Sequence, residues 1–129
     1  MKNLQIQGNW KGGNAKVDVN LPVMIFEEDG SQIAYVPVLD LSGYGKTEKE
    51  AFDSLQTVIH EYLTYAVRKN TLLQDLKSLG WTIKKKSKPY TAPEITDLIK
   101  KNEYLHDIVN TKSYRVDRMP VSIPQYASA

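Results

Sequence analysis

Between Thr47 and Val67 the chain carries the pattern that leaves its fold the least freedom. Thr47 and Glu50 stand at the spacing of a capping box, in which each side chain satisfies a backbone N–H orphaned at a helix start. Ala51, Phe52, Leu55, Val58, Ile59, Tyr62, Leu63, Ala66 and Val67 then recur at intervals of three and four. A helix beginning at Glu48 would therefore present one continuous apolar stripe, about twenty residues long, that has to be buried against another layer.

The preceding residues offer that layer. Val17, Val19, Leu21, Val23 and Ile25 alternate at a spacing of two, the period of a strand with one buried face. Pro22 interrupts the alternation and cannot donate a ladder hydrogen bond, which predicts either an edge position or a bend between shorter strands near 20–22. Glu28-Asp29-Gly30-Ser31 has the composition of a tight turn and should join 24–26 to 33–36 as an antiparallel pair. Pro37 ends the second strand, and the glycines of Ser42-Gly43-Tyr44-Gly45 predict a turn with positive φ. Upstream, Leu4, Ile6 and Trp10 ahead of Gly12-Gly13 read as a first hairpin. Leu72, Leu73, Leu76 and Leu79 continue a helical period as far as Gly80, and Trp81-Thr82-Ile83 opens a short last strand over 81–85. The fold class expected is α+β: an antiparallel sheet of three to four strands packed by one long helix, in the order β-β-β-α-β.

Pro89 and Pro93 with Ser, Lys and Thr between 87 and 93 read as a linker. A first unit over 1–86 and a basic α/β extension over 87–129 follow. Thr91 and Glu94 repeat the capping-box spacing, and Ile95, Leu98, Ile99, Tyr104 and Leu105 predict one or two short helices over 93–109. Tyr114, Val116, Val121 and Ile123 form a final extended segment broken by Pro120 and Pro124.

Composition excludes several chemistries. The 129 residues contain no cysteine, so disulfides, thiolate zinc sites, iron–sulfur clusters and Cys nucleophiles have no ligand or nucleophile here. His60 and His106 lie far apart without a partner at metal-ligand spacing, and no phosphate loop, dinucleotide fingerprint or nucleophile elbow is present. No cofactor is called for. No apolar run approaches a membrane span and the start lacks a secretory signal, so a cytoplasmic address with no membrane partner is the expectation. Charge is unevenly placed: residues 1–80 hold eight Lys/Arg against ten Asp/Glu, whereas residues 81–129 hold nine against five.

Phe26-Glu27-Glu28-Asp29-Gly30 at the hairpin tip, Tyr35-Val36-Pro37 followed by Asp40-Leu41 and Gly43, and Gly45-Lys46-Thr47-Glu48-Lys49-Glu50-Ala51 opening the helix together resemble the HicB antitoxin family over about residues 22–83. The chain departs from the family pattern in a shorter loop between Gly43 and Gly45, in Ser42 where proline is usual, and in Tyr44 where cysteine is common. The resemblance implies a truncated RNase H-like domain that neutralises a small HicA-like ribonuclease toxin by covering its site. Many members carry a C-terminal element that binds operator DNA and represses the operon.

Two sets of residues become candidates. Glu27, Glu28 and Asp29 form an acidic tip suited to a basic RNA-binding partner, and the resemblance adds Asp40 and Tyr44 from the loop expected to face that partner. Lys84, Lys85, Lys86 and Lys88, flanked by Trp81 and Tyr90 and joined by Lys100, Lys101, Arg115 and Arg118, would serve nucleic acid. Soluble turns and a lysine-protected edge strand are the bland explanations of both sets. Asp40, Glu48, Glu50 and Asp53 invite comparison with a metal nuclease, but helix-dipole and capping roles account for the acids of the first turn. With the resemblance, the expectation is a non-catalytic, homo-oligomeric HicB-like antitoxin. The rival readings are a stand-alone nucleic-acid-binding module and, below it, a divalent-metal nuclease.

Overall fold

The computed structural model describes residues 16–84 and 90–125. The hairpin expected around Leu4–Trp10 lies outside them, as do Lys85, Lys86 and Lys88. The described chain is α+β: strands β1 (Lys16–Glu28), β2 (Ser31–Val36) and β3 (Leu41–Gly45), helices α1 (Glu48–Lys69) and α2 (Leu72–Ser78), short strands β4 (Thr82–Ile83) and β5 (Tyr90–Thr91), helices α3 (Ile95–Lys101) and α4 (Glu103–Thr111), and strand β6 (Tyr114–Pro124). β3-β2-β1-β6 form one antiparallel four-stranded sheet, and β4-β5 form a separate two-stranded one.

Helix α1 starts as its residues dictate. Thr47 is the N-cap, its hydroxyl accepting the Glu50 N–H at 3.1 Å, while Glu50 Oε1 accepts the Lys46 N–H at 2.8 Å. Acids in the first turn and Arg68 and Lys69 in the last complement the helix dipole. Ala51, Leu55, Ile59, Leu63 and Ala66 are buried, and Phe52, Tyr62 and Val67 pack at the margin of the same core.

Strand alternation then separates two cores. Leu21, Val23 and Ile25 of β1, Ala34 and Val36 of β2, and Met119, Val121 and Ile123 of β6 pack with α1 and α2. On the other face Met24, Phe26, Ile33 and Tyr35 pack with Leu105 and Ile108 of α4. The sheet is a filling between helices on both faces.

The tight turn forms as expected: Asp29 (φ 54°) and Gly30 (φ 82°) both have the positive φ of a two-residue hairpin loop, and Glu28 pairs with Ser31. Elsewhere the structure departs from the sequence reading. β1 runs through Pro22 without the bend expected as one alternative; β2 pairs back only as far as Met24, so among the described residues Pro22 has a strand neighbour on the β6 side alone, in keeping with the edge position expected as the other. The positions 42–45, expected as a turn, lie in β3. Gly43 is there because α1 lies directly on it: a Cβ would collide with the Leu55 backbone and stand 2.6 Å from the Ala51 carbonyl oxygen. The strand expected over 81–85 shrinks to β4 and leaves the main sheet, whose fourth strand is β6. β6 belongs to the segment expected as an extension beyond residue 86, yet it pairs with β1 over eleven residues, so the segment is interleaved with the first unit. Trp81 and Tyr90, read as nucleic-acid stacking surface, are buried; Trp81 Nε1 donates to the Val38 carbonyl at 2.8 Å and Tyr90 Oη to the Pro124 carbonyl at 2.6 Å. His60, expected half-buried, is exposed.

Candidate partner-binding cleft

On the α4 face of the sheet, along β2 and β3 and beside Tyr104 of α4, a cleft of about 480 Å³ opens. Glu28 and Asp29 of the hairpin tip, Asp40 of the β2–β3 loop, Tyr44 of β3 and Tyr104 of α4 line it, with Tyr35 and Ile33 beneath. Four of the five residues expected to face a partner are thus brought to one site. Glu27 is the exception: one residue before Glu28, it points to the opposite face by strand alternation.

Tyr35 organises the site. Its ring is buried in β2 and its hydroxyl donates to Asp40 Oδ1 at 2.6 Å. Asn102 Nδ2 donates to that same hydroxyl at 2.8 Å, while Asn102 Oδ1 caps α4 by accepting the Leu105 N–H at 3.0 Å. One phenol therefore ties the β2–β3 loop to the start of α4. Burial first, then the hydrogen bond to Asp40, pushes the Tyr35 phenol far above its ordinary value, so it remains a neutral donor. The loop geometry contributes too: Asp40 has φ 56°, and its N–H donates to the Val36 carbonyl at 2.8 Å.

Tyr104 stands edge-on to Tyr35, ring centroids 4.8 Å apart and planes at 84°, and reaches Phe26 at 6.5 Å. Its phenol is also shifted upward, by partial burial first and then by the negative charge of Glu28. Tyr44 is 59% exposed and carries its ring into solvent at the edge of the sheet. No Lys or Arg is among the described residues that line the cleft; Lys112 approaches from outside, its Nζ 4.0 Å from Glu28 Oε1. Carboxylates beside phenol rings accept hydrogen bonds from guanidinium and ammonium groups and offer them aromatic faces. The sequence reading leaves Tyr35, Tyr104 and Asn102 outside the candidate site. An Asn directly before the helical pattern of Glu103–Thr111 is a readable N-cap, but the contact to Tyr35 is visible only in three dimensions.

Among the described residues the basic candidates do not converge. Arg115 and Arg118 project from opposite faces of β6. Arg115 Nε donates to Glu48 Oε1 at 3.1 Å and its guanidinium lies 3.5 Å from Asp117. Arg118 Nη1 donates to the Asn20 carbonyl at 3.4 Å. Lys100 and Lys101 line a second cleft, of about 570 Å³, together with Asp40, Glu94 and Asp97, so acids outnumber cations there. Lys84 is exposed at the end of β4. The four carboxylates considered for a metal are each engaged: Asp40 by Tyr35, Glu48 by Arg115, Glu50 by the Lys46 N–H and Asp53 by Lys49 at 2.7 Å. Among the described residues no three His, Asp or Glu side chains are grouped to hold a metal ion, and no helix is long and apolar enough to cross a membrane. No protein-family model, curated protein or solved structure matches the chain.

Proposed function

We propose that this chain is a HicB-like antitoxin, a cytoplasmic binding protein that neutralises a small, basic, HicA-like ribonuclease toxin through the acidic, tyrosine-lined cleft. The observation that carries the reading is the convergence of Glu28, Asp29, Asp40 and Tyr44, from three separate turns and strands, on one cleft with no cation among the described residues of its lining. A toxin surface that grips RNA phosphates must itself be electropositive, so an acidic cleft fits it and repels RNA. Tyr35 and Asn102 hold Asp40 in place before any partner arrives, which lowers the ordering cost of binding.

The test is RNA cleavage by a small basic HicA-like protein, which the reading expects to be encoded beside this chain. Equimolar addition of this chain should stop cleavage. The triple variant Glu28→Gln, Asp29→Asn, Asp40→Asn removes three charges while retaining side chains that tolerate the positive φ of positions 29 and 40, and it should fail to inhibit. Full inhibition by the triple variant would overturn the reading.

A further inference from the structure

The outer edge of β6 is the other distinctive surface, and its hydrogen-bonding phase follows from the register. The pair closing a two-residue hairpin, Glu28 and Ser31, exchanges backbone bonds, so the even-numbered residues of β1 direct N–H and C=O toward β2 and the odd-numbered ones toward β6. The β1–β6 register joins even to even throughout, from Lys16 opposite Pro124 to Phe26 opposite Tyr114. The even residues of β6 therefore direct their backbone groups outward, away from the sheet. The prolines agree: Pro22, Pro120 and Pro124 all fall in even pairs, where no donor toward the facing strand is required.

Pro120 and Pro124 blunt the far half of this edge, whereas Tyr114, Val116 and Arg118 keep their donors. The residues of that half, from Tyr114 to Arg118, are all exposed, with Val116 at 54%. We propose that this edge pairs with the same edge of a second copy of the chain, antiparallel about a two-fold axis through Val116, joining two four-stranded sheets into one of eight. That register sets Val116 opposite its own copy, Tyr114 opposite Arg118 and Arg115 opposite Asp117, so that all outward groups from 114 to 118 find partners. Centring instead on residue 115, 117 or 118 opposes Arg to Arg or Asp to Asp, which is destabilising in directly facing pairs. The side chain of Asp117, now accepting the Arg118 N–H at 2.8 Å, would release it to the partner strand. The cleft lies at the β2–β3 side of the sheet and is left open by this pairing.

Sedimentation velocity from micromolar to near-millimolar loading should show twice the 14.7 kDa chain mass for the wild type. Val116→Pro removes an outward donor that β1 does not use and should sediment as a monomer with an unchanged circular-dichroism spectrum. Asp117→Lys, which opposes Lys to Arg115, should weaken dimerisation at least tenfold, and adding Arg115→Glu should restore it. A monomeric wild type over the whole range, or a double variant no better paired than Asp117→Lys, overturns the proposal.

Discussion

Replacing Tyr35 by Phe removes one oxygen atom and asks how much of the cleft depends on it. The hydroxyl gives a hydrogen bond to Asp40 at 2.6 Å and takes one from Asn102 at 2.8 Å, with the ring fully packed. A bond to a charged group is worth about 1.5–3 kcal/mol and a neutral one about 1 kcal/mol. Asp40 is exposed and regains water when the phenol is lost, which returns part of the first figure. The expected cost is about 2 kcal/mol, with Asn102 still capping α4. Urea unfolding followed by circular dichroism should show a lower midpoint with an unchanged slope. The pH dependence gives an independent check. A phenol titrating above its ordinary value of about 10 keeps its proton in the folded state where the unfolded chain has lost it. Its stabilisation is thus complete below pH about 10 and declines above it, by at most about 1.4 kcal/mol per pH unit for each such group. Tyr62, raised by burial and by Asp75, contributes in the same sense, so Tyr35→Phe should flatten the decline without abolishing it. A loss below about 0.5 kcal/mol, or an alkaline decline identical to wild type, would refute the role given to Tyr35.

Gly43→Ala drives a methyl group into the α1 backbone and should cost about 3 kcal/mol or prevent folding, as judged by thermal unfolding; a variant of wild-type stability would mean α1 does not rest on β3 as described. Leu55→Ala, at the centre of the α1 stripe, should cost about 2–5 kcal/mol, against less than about 0.5 kcal/mol for the exposed His60→Ala measured in parallel. Binding of the proposed HicA-like basic partner should weaken as salt rises, and the triple charge-removal variant should both weaken it and flatten that dependence. Replacing Lys100 and Lys101 by Gln should leave that binding unchanged.

What could be read before the structure was local. Thr47 and Glu50 sit within one helical turn of each other, and the stripe from Ala51 to Val67 is a periodicity any window reveals. Asp29-Gly30 likewise announces its own turn. What could not be read depended on partners distant in the chain. β6 joins β1 across most of the chain, and its alternation is too broken by Pro120 and Pro124 to declare its pairing. Gly43 signals a missing side chain, which a turn and a crowded strand use equally; only the position of Leu55 decides between them. Trp81 and Tyr90 flank lysines and therefore look like a stacking surface, but their polar atoms find backbone carbonyls at Val38 and Pro124 and their rings turn inward. For the cleft, the acidic tip was legible as charge and the loop through resemblance, while the phenol that joins Asp40 to Asn102 belonged to neither signal.

The affinity of the purified chain for a HicA-like basic protein, the partner proposed for it, compared between wild type and Tyr44→Ala combined with Asp40→Asn, addresses the central claim most directly. These two substitutions alter side chains at the mouth of the cleft and leave both cores intact. Tight binding by the wild type and at least a hundredfold loss, about 2.7 kcal/mol, in the double variant is the expected result. Equal affinities for the two proteins, or no binding by either, would contradict it.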